Sequence, residues 1–513
     1  MGWARAAVAL CAVVAAGALL VSGGHRADPE TPTGLPGSPP PFLGVAVLGD
    51  GGLTAAVDAY GSVVDLRAPG PAGRALIGNP AERQAAGTVE PGTGIQVWAR
   101  VGGGAARPMW KADSIRQRYL PGSNALRTVA RFGGERIAID AAAAGEALAM
   151  VVRGGAVELR VAADVGCERR RSGRSLGLVC AARSRSADPD RLVAGAAASD
   201  RRWLAQRRPL GADAPRWARE MYERSLLVLH ALTDRTNGAV AAGARDGWAY
   251  VWPRDASAAA IAFAAAGYRS EAERSARFLL GLGLEHAARF HGDGSPVPGR
   301  PAQGDAIGWV AAASRAAGFG SASRAARILA GGRPIAWRDR ADYWEGEDGD
   351  FLGNAIASRA DVSEFSRHIW GVNSDTPSGR GLVRERDDAG SGLDSAAAWA
   401  VRPFSTPRLY PAARATLNRL ASRATPYGIA PGEGWPGGED PWSAPTAWGA
   451  WSLAALDERR QALRLMQALR RSATATGDLP ERVDAQTGVP RSTTPLAWSH
   501  AFAILALREL WPG

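Results

Sequence analysis

The sequence predicts an antiparallel β-sandwich followed by an all-α domain, and three observations predict it. Between residues 43 and 200, short apolar runs alternate with polar positions and are broken by Gly, Pro, Asn and Asp. From residue 201 to 513, apolar residues recur at three- and four-residue steps over long stretches. A chain of 513 residues is also longer than one ordinary core organises.

Ahead of both lies a targeting segment, assigned to residues 1–22. Residues 6–22, AAVALCAVVAAGALLVS, form an uncharged run after Arg5 and read as a signal peptide or a short membrane anchor. The following VSGGH holds small residues but no Ala-x-Ala cleavage site, and Cys11 sits too early for a lipoprotein cysteine, so cleavage stays open. Either way, Arg5 is expected to remain inside and the rest to be exported, which makes the protein extracellular or cell-surface. Residues 23–42, GGHRADPETPTGLPGSPPPF, carry six prolines and too few apolar groups to build a core. They are a linker.

In the region 43–200, RTVARF and VELRVAA alternate with a period of two, and Gly133-Gly134 and Gly154-Gly155 mark turns. This pattern argues an antiparallel β-sandwich. Cys167 and Cys180 are the only pair outside the apolar N-terminus, and a disulfide or two buried thiols fit equally well. In the region 201–513, segments such as DASAAAIAFAAAGY, SEAERSARFLLGLGLEHAARF and WGAWSLAALDERRQALRLMQALRRSA predict many paired helices. Abundant Ala permits close packing, so a toroid of helix pairs is a natural architecture, with a bundle or solenoid as alternatives.

The net charge of +11 does not indicate a nucleic-acid partner, because Arg is scattered along the chain without blocks or aromatic interleaving. Lys111 is the sole lysine, so there is no P-loop, and HExxH, CxxC and GxSxG are all absent. No metal and no cofactor is expected. Of 18 Trp residues, 15 lie after residue 200, many in loops beside carboxylates, among them Trp248, Trp252, Trp344, Trp435, Trp442 and Trp498. Aromatic rings stack on apolar sugar faces while charged groups bond to hydroxyls, so such loops suit a carbohydrate pocket.

Two glutamates fit paired acid chemistry. Glu345 lies in DYWEGEDGDF beside Trp344, an apolar neighbour that would raise its pKa and keep it protonated as a general acid requires. Glu481 lies in GDLPERVDAQTG, a Pro- and Gly-containing loop before the last helix, where a carboxylate would stay ionised. Two carboxylates in unlike surroundings make an acid/base pair for glycoside cleavage. The competing readings are a solvated acidic loop at Glu345, since Glu347, Asp348 and Asp350 follow, and a helix N-terminal charge at Glu481.

At residues 250–268, YVWPRDASAAAIAFAAAGY, the chain resembles family 15 of the glycoside hydrolases, the glucoamylase, glucodextranase and trehalase family, in its bacterial type with an N-terminal β-domain. The likeness continues in the family's order through QGDAIGW (303–309), DYWE (342–345), GGEDPW (437–442), LPERVDAQTG (479–488) and PLAWSHA (495–501). LGDGGLTAAVDAYGSVVDLRAPGP and QRYLPGSNALRT are similar to the family's β-domain. The resemblance implies an (α/α)6 toroid behind a β-sandwich. It further implies an inverting, exo-acting α-glucosidase acting on oligo- or polysaccharide as a monomer, with Glu345 as general acid and Glu481 as general base. Arg254 and Asp255 would grip a terminal glucose; Trp252, Trp344 and Trp442 would line the pocket, and Trp498 would support the base. Asp305 and Trp309 match less closely, Ala306 standing where the family has glycine.

Gly346 replaces a second Glu that many members carry after the acid, and YGIAPGEGW lacks an Arg common upstream of the GxPW segment. The helical region is compact for a bacterial member, which implies shortened loops and a more open site. Trehalase or glucodextranase activity is the nearest alternative, and a phosphorylase is disfavoured by the presence of Glu481. A non-catalytic cell-surface glycan-binding protein is the alternative of another class, and an uncleaved N-terminal segment would tie either to the membrane.

Overall fold

The computed structural model describes residues 45–78, 94–161, 165–172, 175–180, 188–245, 247–320, 338, 340–347, 349–370 and 377–513. The targeting segment and the linker lie outside these residues. Among the described residues, no helix is long and apolar enough to cross a membrane.

Among the described residues, the first part is built from two antiparallel sheets. One has seven strands: β1 (Ala46–Gly49), β2 (Thr54–Val57), β3 (Val63–Ala68), β5 (Ile95–Arg100) and β11 (Ala156–Val161) in that order, with β4 (Arg74–Ile77) on β3 and β6 (Ala106–Pro108) on β5. The other has six, ordered β12 (Cys167–Ser172), β13 (Ser175–Cys180), β10 (Ala147–Arg153), β9 (Glu135–Ala144), β8 (Leu126–Phe132) and β7 (Ser114–Tyr119). Period-two alternation is the reason: in β8, Leu126, Thr128, Ala130 and Phe132 are buried while Arg127, Val129 and Arg131 are not. Leu48, Val63, Ile95 and Trp98 of the first sheet share one apolar core with Phe132, Ile139, Met150 and Leu178 of the second.

The two glycine pairs do different work. Gly133-Gly134 closes a hairpin between β8 and β9, whose ends pair Phe132 with Glu135. Gly154-Gly155 instead carries the chain from the six-stranded sheet to the seven-stranded one. Gly154 has φ 87°, and a Cβ there would strike the carbonyl of Arg136, so only glycine fits the crossing. Cys167 and Cys180 stand opposite each other on β12 and β13 and are disulfide-bonded.

Helix α1 (Pro189–Leu204) starts where Asp188 accepts from the amides of Asp190 and Arg191. It lays Val193, Ala196 and Ala197 on Ala142, Ala149 and Val151 at the back of the six-stranded sheet. At its far end Trp203 stacks between His230 and Tyr268, so this helix spans residue 200 and joins the sheets to the helices.

The helical part contains α2 (Arg216–Ala231), α3 (Pro253–Ala266), α4 (Arg269–Leu280), α5 (Ala306–Ala316), α6 (Leu352–Ala357), α7 (Tyr410–Ser422), α8 (Ser443–Ala455), α9 (Arg459–Ser472) and α10 (Ala497–Leu510). Nearly all of α3, α8 and α10 is buried, whereas α4 and α9 bury one face only. Apolar composition all round makes an inner helix and an amphipathic stripe makes an outer one. Each outer helix packs on the inner helix before it in the chain, α4 on α3 and α9 on α8. The last helix, α10, packs against α2, α3 and α8. A three-stranded sheet, β14 (Ser366–Trp370), β15 (Pro377–Glu385) and β16 (Asp388–Leu393), is inserted between α6 and α7.

Candidate active site

Loops at one end of the inner helices enclose a cavity of about 450 Å³. Its floor comes from the start of α3. Pro253 at the first helical position fixes the entry of the chain, and Arg254 and Asp255 follow in the first turn, both 4% exposed. Arg254 Nη1 donates to Gln303 Oε1 and to Asp305 Oδ2, each at 2.9 Å, and its Nη2 lies 3.7 Å from Asp255 Oδ2. The guanidinium sits 4.8 Å from the centre of the Trp498 ring. Burial pushes the Asp255 carboxyl up to about 7, with Arg254 opposing and the charges of Glu481 and Asp305 adding. At that value it is both a donor and an acceptor for a hydroxyl near neutral pH.

One wall is the loop from Asp342 to Gly346. Asp342 Oδ1 accepts from the amides of Trp344 and Gly346, each at 3.0 Å, and the Glu345 amide donates to the Asp342 carbonyl at 2.9 Å. Glu345 is held between them at φ 62°, a left-handed conformation that costs a non-glycine residue about 1 to 3 kcal/mol. The hydrogen bonds to Asp342 offset it, and the result is a carboxylate turned into the cavity. Another wall is the loop between α9 and α10. There the Glu481 amide donates to the Thr493 carbonyl at 2.9 Å, and Ser443 donates its amide to the Glu481 carbonyl at 3.0 Å. Ser492 Oγ and the Trp248 indole both donate to the Glu481 side chain. Trp344, Trp435 and Trp442 form an edge-to-face row with successive ring centres 5.1 Å apart.

Of the ten residues that the sequence singles out, eight line this cavity together: Glu345, Glu481, Trp252, Arg254, Asp255, Trp344, Trp442 and Trp498. Asp305 and Trp309 do not. Asp305 is 1% exposed and lies beneath the floor, reaching the cavity only through Arg254. Trp309 is fully buried and meets Trp399, Phe404 and Phe502 edge to face, so it is a core residue and not a substrate contact. One turn into α5 from Asp305, its side chain faces the centre of the helices instead of the loop end.

The expected surroundings of the two glutamates are reversed. The Glu345 side chain is 46% exposed and forms an ion pair with Arg300, so Trp344 does not isolate it from water or charge. Burial pushes the Glu481 carboxyl up, against the hydrogen bond from Ser492, the charge of Arg482 and the bond from Trp248. Proline and glycine in its own loop say nothing about the α8 and α10 walls that close around it.

Several wall residues escape sequence reasoning. Arg289 packs over the rings of Tyr250 and Trp252, Arg300 reaches Glu345, and Tyr343 closes the floor beside Pro431. Tyr343 was in view inside DYWE and Arg300 stands three residues before QGD, whereas Arg289 in HAARF carries no signal. Among the described residues no cluster of His, Cys, Asp or Glu is arranged to hold a metal ion.

No family model matches the chain, and no curated protein matches its sequence. Solved structures do. A bacterial glucoamylase complexed with acarbose matches 92% of this chain and 94% of its own, with a TM-score of 0.68 and 14% identity. The chain shares the fold of that glucoamylase. A wild-type glycosidase matches 57% of this chain and 97% of its own at TM-score 0.46 and 21% identity. The glucoamylase from Saccharomycopsis fibuligera matches 59% and 96% at TM-score 0.45 and 13% identity.

Proposed function

We propose that this protein is a glycoside hydrolase, an inverting α-glucosidase of the glucoamylase kind that removes glucose from the non-reducing ends of glucans. The observation that carries this reading is the convergence of Glu345 and Glu481, from loops far apart in the chain, on one aromatic-walled cavity floored by Arg254 and Asp255. The fold likeness to a bacterial glucoamylase supports it, as does the alternation of inner and outer helices that an (α/α)6 toroid behind a β-sandwich requires.

In this reading the terminal glucose lies on the floor, with its hydroxyls on Arg254 and Asp255 and its apolar faces against the tryptophans. Glu345 gives its proton to the glycosidic oxygen as the C1–O bond breaks. Glu481 takes a proton from a water that attacks C1 from the opposite face, so the product leaves with inverted configuration. Glu345 ends ionised and Glu481 protonated, and exchange with solvent restores both. The charged, buried floor closes the cavity at one end, which favours stepwise removal from chain ends over cleavage inside a chain. Substrate entry separates Arg300 from Glu345, since the acid has to carry its proton when the leaving oxygen arrives. The Cys167–Cys180 disulfide fits a protein exported past its N-terminal segment into an oxidising compartment.

The test is incubation of the chain from residue 43 onward with maltose, isomaltose, trehalose and starch, reading free glucose. Release from maltose and starch is expected. Release from trehalose or isomaltose alone would shift the assignment to trehalase or glucodextranase. Binding of all four without release would identify a glycan-binding protein.

A further inference from the structure

We propose that Arg384, on the inserted strand β15, is a positioning residue for the general acid Glu345. The proposal rests on the hydrolase reading above and adds to it the device that holds the acid in place. Arg384 Nε donates to Asp342 Oδ2 at 2.9 Å, while the other oxygen of that carboxylate binds the amides on either side of Glu345. Asp342 is 1% exposed, so without Arg384 it would be a buried, unpaired charge. The guanidinium is itself pinned. It lies 4.4 Å from the ring centre of Trp344 and 4.4 Å from that of Phe351, and its Nη1 donates to Glu385 at 2.8 Å.

Gly346 belongs to the same device. Its φ is not in the left-handed region, so the backbone does not require glycine there. Space does: a Cβ at residue 346 would overlap Nη2 of Arg384 and come within 3.4 Å of Asp342 Oδ1. The room beside the acid that a side chain at 346 would occupy is filled by a guanidinium from another element. Arg384, Asp342 and Gly346 thus form one clamp, and Glu345 is the residue whose backbone it fixes.

The experiment compares wild type, Arg384→Ala, Gly346→Ala and the double variant by two readouts. The first is turnover of maltose and of α-glucosyl fluoride, whose leaving fluoride needs no proton. Misplacing the acid is expected to lower kcat for maltose by about tenfold to a hundredfold with KM nearly unchanged, while the fluoride is cleaved almost as by wild type. The second is amide hydrogen exchange of the peptide spanning 342–347, expected to quicken by about tenfold in either single variant, the scale of one lost charge-assisted hydrogen bond. Exchange in α10 should not change, which separates local loosening from unfolding. Gly346→Ala should add no further loss once Arg384 is Ala, because both act on one contact.

Equal loss on both substrates, unchanged exchange at 342–347, or additive effects of the two substitutions would each overturn the proposal. If wild type cleaves neither substrate, the hydrolase reading fails, and the exchange and coupling measurements still decide whether Arg384 and Gly346 clamp this loop.

Discussion

Arg254 and Asp305 form a buried ion pair, Nη1 to Oδ2 at 2.9 Å, in which only Arg254 faces the cavity. The aspartate is needed because a guanidinium on the floor is screened from water and has to find an anion within the protein. Replacing it by Ala leaves that cation short of its partner, a change expected to cost about 3 to 5 kcal/mol in unfolding experiments. The freed Arg254 should also lower kcat/KM by about a hundredfold through misplacement of substrate. Asp305→Asn keeps a hydrogen-bond acceptor and should lose less on both counts. A melting curve and a kcat/KM value equal to wild type in Asp305→Ala would remove the residue from the account.

Trp309 and Trp442 are expected to separate stability from binding. Trp309 fills the core among Trp399, Phe404 and Phe502, so Trp309→Ala should cost about 3 to 5 kcal/mol while leaving KM of the folded protein near wild type. Trp442 lines the cavity, and Trp442→Ala should raise KM with a smaller effect on denaturant midpoint. Denaturation and steady-state kinetics on both variants check the contrast; a large KM effect at Trp309 would reverse it.

These placements show what the sequence reveals and what it hides. Alternation in LRTVARF and the Gly133-Gly134 pair are local signals, and the sheets and their hairpin follow from them. Gly154-Gly155 reads the same way but joins two sheets, because a pair of glycines reports a sharp turn and not the partner of the next strand. The eight cavity residues were legible because each sits in a short segment with its own chemistry, such as Trp-Pro-Arg-Asp or Tyr-Trp-Glu. Trp309 was misplaced because it lies one helical turn, about 6 Å, beyond Asp305, which carries it away from the loop end and into the core. Arg300, Arg289 and Arg384 were hidden among many scattered arginines, and their roles depend on contacts between distant loops. The reversed surroundings of Glu345 and Glu481 have the same origin, since an adjacent Trp or Pro does not determine which elements pack on a side chain.

The two glutamates should behave as a pair and their neighbour should not. Glu345→Gln and Glu481→Gln are each expected to lower kcat about a hundredfold or more with sugar binding retained. Glu347→Gln should leave kcat within about twofold, since Glu347 does not line the cavity. Loss of activity at Glu347 with full activity at Glu345 would reassign the acid.

The dependence on pH follows from Glu481. A general base works only when ionised, and burial raises this carboxyl above the ordinary glutamate value of 4.5. As pH falls, kcat/KM should therefore begin to drop above the pH at which an exposed glutamate would protonate. Ser492 donates to the ionised form, so Ser492→Ala should move this acid limb to still higher pH. A limb unmoved by Ser492→Ala, or one below 4.5, would show that Glu481 is not the group that titrates.

The central claim is that Glu345 and Glu481 act from opposite sides of a bound glucoside, with a water between Glu481 and C1. Inversion requires that water, whereas retention requires a carboxylate close enough to bond to C1 itself. Proton NMR of the fresh product from maltose or soluble starch, recorded before mutarotation, reads this directly. The account predicts β-glucose as the first product, accumulating singly from chain ends. Initial α-glucose, or long internal fragments from starch, would contradict it.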